Sequence, residues 1–522
     1  MNPIEQGDAL LMAGRFHEAL NTFAQGLRGD MSSLAARYGL ARACVGAGDP
    51  LTAIAWISDA QRLAPADTEP LPLLADLFLT TKQYAHALPV YKRLYHDVGL
   101  RDRITVLHYA FCLEQTGQLD ECILRYREAL QLDPNFLEAH VDLAGVLWRV
   151  GDFEGSLTHA WKAVNVDPDH PFAVRILGSA LLNLNRVAEA EVQLRRALEL
   201  KPGFHLAELD LAFALLQDGR LHEGWRWYAK RWKDVDRIQR PAFWHQDLEW
   251  QGPSVQPAAG KRIAVYAEQG LGDVIQFVRY VPMLQADGAT VYGVVPPELV
   301  PLVENSIPGF VCLGPGRDLQ ADYHAALLEL PLHYGTGKVE QIPADVPYLK
   351  PTEGAMARWR DRLSPWQSKF RIGLAWCGYA NQMNNRNRAV HLSELQALLA
   401  MPGVQCFSLQ KSPGGEYTDI DPGEERLVDL TGEWRDFDDS AAMISQLDLV
   451  VTVDTSIAHL TGALGKPGWV LLAPNADWRW LMDREDSPWY PTLRLFRRGF
   501  GEGRAVQVGR VVRALEALLQ QS

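Results

Sequence analysis

Seven positions, Gly14, Gly48, Lys82, Gly117, Gly151, Asn185 and Gly219, recur at intervals of 34, 34, 35, 34, 34 and 34 residues. No other feature of the 522-residue chain limits its fold so tightly. A fixed period of this length means one supersecondary unit stacked on copies of itself, since a single copy cannot bury its own apolar face. Five residues after each of these positions stands a small one: Ala19, Ala53, Ala87, Cys122, Ser156, Ala190 and Gly224. Nine after, most copies carry a larger apolar or aromatic residue: Phe23, Ile57, Tyr91, Tyr126, Leu194 and Tyr228. Prolines close four units at Pro65, Pro134, Pro168 and Pro202.

Each mark has a mechanical reason. Glycine or asparagine permits a tight turn between two antiparallel helices. The small residue lets those helices approach closely, and the proline stops the second one. This is the tetratricopeptide pattern, and it predicts an α-solenoid over residues 1–235. Such an array presents a concave face to an extended peptide or another protein, so a protein client is the expected partner. Spacing or self-association into a homodimer is the alternative use. Trp225, Trp227 and Trp232 lie at the end of the seventh copy, where their rings predict a rigid joint to the second half of the chain. Residues 236–260, with Pro241, Gly252, Pro253, Pro257 and Gly260, read as a linker.

From Lys261 onward short β-rich apolar runs alternate with helical stretches. Strands are expected at 262–267, 290–295, 371–376, 404–409, 447–453 and 468–473, and helices at 273–285, 393–401, 438–446, 456–464 and 508–520. This alternation predicts parallel sheets covered by helices on both faces. The length suits two α/β domains, 261–355 and 356–522, bridged by 351–369. Ligands in such sheets bind at the C-terminal ends of the strands, which directs attention to the strand-to-helix loops.

Two loops stand out. In Glu268-Gln269-Gly270-Leu271-Gly272-Asp273, Gly270 and Gly272 allow a tight turn beside a ligand and Asp273 opens the helix. The third glycine of a dinucleotide fingerprint is missing, and Asp273 reads equally as a helix cap. In Val453-Asp454-Thr455-Ser456-Ile457-Ala458-His459, Thr455 or Ser456 can cap a helix whose free N–H groups form an anion site, with His459 one turn inside. A diphosphate fits this arrangement, and so does a plain capped helix with a satisfied histidine. Asp436-Phe437-Asp438 has the DxD form of metal-dependent sugar transferases, but acidic residues opening a helix are ordinarily dipole partners. Residues 381–388, with Arg386 and Arg388, read either as a lid that brings charge to phosphates or as a solvated loop. The chain has no P-loop spacing, no G-x-S-x-G and no HExxH.

Charge excludes a further class. Up to Arg240 there are 26 basic and 31 acidic residues, and beyond it 25 and 33, so the net −13 divides into −5 and −8. Neither half has the basic excess that phosphate-backbone binding needs, so no nucleic-acid partner is expected. The six cysteines, Cys44, Cys112, Cys122, Cys312, Cys377 and Cys406, are scattered without zinc-ligand spacing, and read as reduced core thiols. The first residues lack signal-peptide character, and no apolar run reaches the roughly 18 residues of a membrane span. A cytoplasmic protein without a bound metal or cofactor is expected.

Several segments carry a resemblance: Ala267 through Phe277, Ser408-Leu409-Gln410-Lys411, the Asp454–His459 run with Leu460 and Gly465, and Asp477-Trp478-Arg479-Trp480. Here residues 240–522 resemble the bacterial glycosyltransferases related to lipopolysaccharide heptosyltransferases, glycosyltransferase family 9, in the branch fused to tetratricopeptide repeats. With the repeats, the resemblance covers essentially the whole chain. It implies the GT-B architecture: two Rossmann-like domains facing a cleft, the first holding the acceptor and the second the nucleotide sugar. By motif, Asp273 would be the catalytic base that deprotonates the acceptor hydroxyl. Asp454, Thr455, Ser456 and His459 would hold the donor phosphates, with Gly270, Gly272, Gly378, Arg386, Arg388, Gln410, Lys411 and Arg479 as further donor contacts. The family usually has glycine where this chain has Ser456, so the donor loop approaches its ligand differently. The combination of repeats and enzyme also resembles protein O-GlcNAc transferases and flagellin glycosyltransferases. The implied function is inverting, metal-independent sugar transfer to a protein held by the repeats. The alternatives are a glycan or lipid-linked acceptor, or a repeat scaffold without turnover.

Overall fold

The structure is a computed structural model that describes residues 2–233, 238–314, 321–378, 384–411 and 426–521. The chain forms two compact units, Met1–Pro168 and Asp169–Ser522.

Five antiparallel helix pairs make up the first unit, from Pro3–Met12 with Phe16–Gly29 to Leu137–Arg149 with Phe153–Val166. The periodic turn positions take left-handed backbone: φ is 70° at Gly14, 81° at Gly48, 80° at Gly117 and 88° at Gly151. Lys82 does the same at 57°, a conformation that costs a side-chain-bearing residue roughly 1–2 kcal/mol. The single 35-residue interval has a visible cause. Within it the helix Tyr84–Arg93 runs into a wider π-helical turn, Leu94–Val98, which takes up one extra residue before Gly99 ends it. The small residues are buried at the helix crossings. Phe23 shows how tight these are, because a Cβ on Gly7 or Gly39 would come within 2.6 Å or 2.3 Å of its ring.

The second unit begins with the last two repeats, Pro171–Asn183 with Val187–Leu200 and His205–Gln217 with Leu221–Tyr228. Asn185 and Gly219 hold φ of 58° and 77° at their turns. The boundary between the compact units therefore falls inside the repeats, at Pro168, while the helix pairs themselves continue to Tyr228. The reason is the joint. Trp225 is buried edge-on between Phe277 and Trp478, and its indole N–H donates to the Thr336 carbonyl at 3.0 Å. Arg231 is buried too, paired with Glu268 and Glu329. Part of the segment read as a linker is packed as well. Trp250 is fully buried and its backbone N–H donates to the His324 carbonyl at 2.9 Å, so this stretch lies along a sheet edge.

Two parallel sheets complete the unit. The first has β1 (Arg262–Tyr266), β2 (Thr290–Val294), β3 (Val311–Cys312) and β4 (Tyr323–Ala326), in the order β3-β2-β1-β4. The second has β5 (Phe370–Ala375), β6 (Val404–Ser408), β7 (Leu427–Asp429), β8 (Leu449–Val453), β9 (Gly468–Leu472) and β10 (Leu493–Arg497), ordered β10-β9-β8-β5-β6-β7. Every residue of β8 is buried, as a central parallel strand covered on both faces requires. The helix expected at 273–285 is broken into Leu271–Phe277, a 3₁₀ turn Val278–Tyr280 and Val281–Ala286. Pro282 is the second residue of the last piece, in the first turn where its missing N–H does no harm. Among the described residues no helix is long and apolar enough to cross a membrane.

Candidate functional site

β1 and β8 each end in a short loop that turns into a helix. After β1 the helix Leu271–Phe277 has Gly270 as its N-cap, so Asp273 is the third helical residue and not the cap itself. Its Oδ2 reaches back to accept the Gly270 N–H at 3.0 Å. After β8 the helix Ser456–Ala463 is capped by Thr455, whose hydroxyl accepts the Ile457 N–H at 3.3 Å. The two helices touch at their N-terminal turns. A Cβ on Gly272 would lie 2.9 Å from Cδ2 of His459 and 3.5 Å from the Ser456 Cα. Glycine is needed here for close approach, not for an unusual torsion.

These turns border a cavity of about 950 Å³. Of the residues singled out in the sequence, it brings together Gly270, Gly272, Asp273, Gly378, Arg388, Gln410, Lys411, Asp454, Thr455, Ser456, His459 and Arg479. Arg386 does not line it. That residue is exposed in the short helix Asn385–Arg388, where its carbonyl accepts from Arg504. Residues 379–383, which include part of the 381–388 loop, lie outside the described residues.

Asp273 forms an ion pair with Arg479 through Oδ1. Arg479 also donates to Gln276 Oε1 at 3.0 Å and Asp477 Oδ1 at 2.9 Å, which fixes its guanidinium against the face of Trp478. Burial pushes the Asp273 carboxyl up from its ordinary range, and Arg479 opposes that shift. A carboxylate has about four lone-pair directions, and among the described residues the Gly270 N–H and Arg479 take two of them.

His459 is neutral. Burial, with Arg479, Arg279 and Arg388 nearby, lowers its pKa well below 6.5. Its ring stacks on Trp480 at 5.5 Å, and Nδ1 lies 3.0 Å from the Tyr490 hydroxyl. Burial holds Tyr490 protonated. When that hydroxyl donates to Nδ1, the imidazole proton sits on Nε2 as a neutral N–H donor. Arg279, buried in the same region with no carboxylate partner among the described residues, donates to the Tyr348 hydroxyl at 2.8 Å and to the Trp489 carbonyl at 2.7 Å.

The opposite wall is set by Arg388, which stands against Gly378 and donates to the Asp454 carbonyl at 2.7 Å. The Asp454 carboxyl is raised by burial and by the nearby Asp477. Gln410 accepts the Cys377 N–H at 3.2 Å, and Lys411 donates to the Trp434 carbonyl at 2.6 Å. The acidic run at 436–438 acts as a cap. Asp436 accepts the N–H groups of Asp438 and Asp439 at 2.9 Å and 3.2 Å, and Asp438 accepts from Thr352 at 2.8 Å. Sequence reasoning did not single out Tyr490, Arg279, Gln276 or Asp477 as site residues. Gln276 and Asp477 lie in segments that carried the resemblance, while Tyr490 and Arg279 have no local signal.

A model of the tetratricopeptide repeat family matches residues 4–68 and 141–203. The chain is 28% identical over 426 residues to Protein FlbA of Caulobacter vibrioides, covering 74% of this chain and 68% of that one. Two solved structures are similar to about a third of it. YrrB, described as a tetratricopeptide protein with an unusual peptide-binding site, is 22% identical over 33% of this chain and 88% of its own, with a TM-score of 0.31. MamA from Desulfovibrio magneticus RS-1 is 20% identical over 32% and 97%, with a TM-score of 0.30. The chain carries tetratricopeptide repeats followed by an α/β region of parallel sheets.

Proposed function

We propose that the α/β region is an inverting GT-B glycosyltransferase that moves a sugar from a nucleotide-activated donor to a polypeptide recruited by the repeats, of the flagellin or surface-protein kind that the resemblance implies. The observation that carries this reading is the meeting of two helix N-terminal turns at one cavity, one bearing Asp273 and the other His459. The N-terminal turn of the Ser456 helix and the neutral donor of His459 suit a diphosphate, which the helix dipole favours without a cation.

The chemistry needs one displacement. The acceptor hydroxyl oxygen bonds to the anomeric carbon of the sugar, and the bond from that carbon to the diphosphate oxygen breaks. The hydroxyl proton passes to the Asp273 carboxylate, and the nucleoside diphosphate leaves with the electron pair. Fixed donors aimed at the leaving group stabilise the charge it gains. The N-terminal position of Asp273 lowers its basicity while burial raises it, and burial is the larger effect.

The test is intact-mass analysis of flagellin incubated with the full chain and a panel of UDP-, GDP-, ADP- and CMP-sugars. One donor should add the mass of one glycosyl residue, and Asp273→Asn should abolish the addition. Equal addition by Asp273→Asn removes that residue as the base.

A further inference from the structure

A smaller pocket of about 280 Å³ adjoins the main cavity and shares Gln269, Asp477 and Arg479 with it. Its remaining lining is apolar or aromatic. Leu209 and Phe213 come from one face of the helix His205–Gln217, four residues apart, and Trp478 faces the same space. The polar groups around it are already engaged. Gln269 donates to the Tyr228 hydroxyl at 2.6 Å, and Asp477 accepts from Arg479.

We propose that this pocket is an acceptor subsite that takes an aromatic or branched aliphatic side chain of the polypeptide, next to the residue whose hydroxyl receives the sugar. The proposal rests on the reading of the main cavity as a donor site with a protein acceptor. Three observations carry it. The shared Arg479 is the residue that pairs with Asp273, so a chain anchored in the pocket lies beside the proposed base. One wall is the first helix of the seventh repeat, and such helices line the surfaces on which repeat arrays hold extended peptides. Five of the eight lining residues, Leu209, Phe213, Tyr228, Ile238 and Trp478, are apolar or aromatic, so the larger part of the wall suits an apolar side chain.

The experiment uses the full chain labelled with 5-fluorotryptophan, with the Trp478 fluorine signal assigned by Trp478→Phe. The probes are N-acetyl-phenylalaninamide, N-acetyl-leucinamide and N-acetyl-glycinamide, with methyl glycosides alongside. The phenylalanine and leucine amides should move the Trp478 signal saturably and the glycine amide should leave it in place. Leu209→Trp, which fills the pocket, should abolish the shift. Phe213→Ala, which widens it, should weaken the phenylalanine amide by about tenfold. Nucleotide-induced stabilisation, measured on the same variants, should persist in both. Equal shifts from all three amides, no shift from any, or a shift from the glycosides alone would overturn the assignment. Nucleotide stabilisation without an amide shift overturns the subsite only, whereas loss of nucleotide stabilisation in the wild type counts against the donor-site reading.

Discussion

Asp273 and Arg479 form an ion pair across 206 residues of sequence, joining the first turn of the helix after β1 to the segment after β9. Both side chains are largely buried, so neither is screened by bulk water. Burial raises the Asp273 carboxyl above its ordinary range, and the pairing with Arg479 opposes that rise.

Removing the arginine should therefore move the acid. In Arg479→Gln the Asp273 carboxyl loses its cation while its burial remains, and its pKa should rise further. Since the ionised form is the proposed base, the acidic limb of the transfer rate should shift to higher pH. Carboxyl ¹³C NMR of Asp273 in the two proteins checks this. An unchanged titration would show that Arg479 does not set the carboxyl's charge.

Tyr490→Phe should leave the fold intact and cut nucleoside-diphosphate affinity several-fold. The phenylalanine fills the same volume but gives Nδ1 of His459 no donor, so the imidazole proton is no longer held on Nε2. The check is ¹⁵N NMR of His459, which should change from one tautomer to a mixture. A single unchanged tautomer would contradict the role given to Tyr490.

Gly272→Ala should be destabilising by about 1–3 kcal/mol, the usual range for an added carbon in a packed contact. The new methyl meets the His459 ring at 2.9 Å, so the two helix turns must separate. Urea unfolding and nucleotide titration of the variant read both consequences. Gly354→Ala is the control, because a Cβ there meets nothing within 4 Å.

In the first unit, burial and the carboxylates Glu114 and Glu138 push Asp142 up to about 8. The folded state thus binds this proton more tightly than the unfolded chain, whose aspartates titrate near about 3.9. Its contribution to stability is complete below about pH 4 and is lost as pH rises through about 8. Asp142→Asn should accordingly stabilise the unit at pH 8 and change little at pH 4. Equal effects at both pH values would show that the carboxyl is not raised.

Truncation should track the compact units. A chain beginning at residue 169 keeps the last two helix pairs, including Asn183 and Asn185, which bond to Asn475 and the Pro474 carbonyl. It should fold and bind nucleotide while losing transfer to polypeptide. Beginning at residue 201 removes both asparagines and should lower the melting temperature. Equal stability of the two truncated chains would mean that these contacts contribute nothing.

Local chemistry made much of this legible. The turn positions announced themselves because left-handed backbone selects glycine or asparagine, and Lys82 was found only because the period pointed to it. The central strands β1, β5, β8 and β9 are continuous apolar runs. β3, β4, β7 and β10 were missed because they are two to five residues long and carry polar residues such as His324, Asp429 and Arg494. The loops bearing Asp273 and His459 could be placed at strand ends, since glycines and caps mark such turns. That they face each other could not be read, because it depends on the packing of two helices 185 residues apart. Tyr490 and Arg279 act through tertiary contacts alone, and nothing in their neighbours along the chain marks them. The joint was legible from its tryptophans. The boundary at Pro168 was not, since the sixth repeat has the same sequence pattern as the fifth.

The most direct test of the donor site is thermal unfolding of the full chain with UDP, GDP, ADP, CDP or CMP, in the wild type and in His459→Ala. A nucleotide at about 100 times its dissociation constant stabilises by roughly 2.7 kcal/mol, a readable shift. One diphosphate should raise the midpoint of the wild type and leave the variant near its unliganded value. No shift from any nucleotide at millimolar concentration, or an equal shift in both proteins, would contradict a donor site at the Asp454–His459 turn.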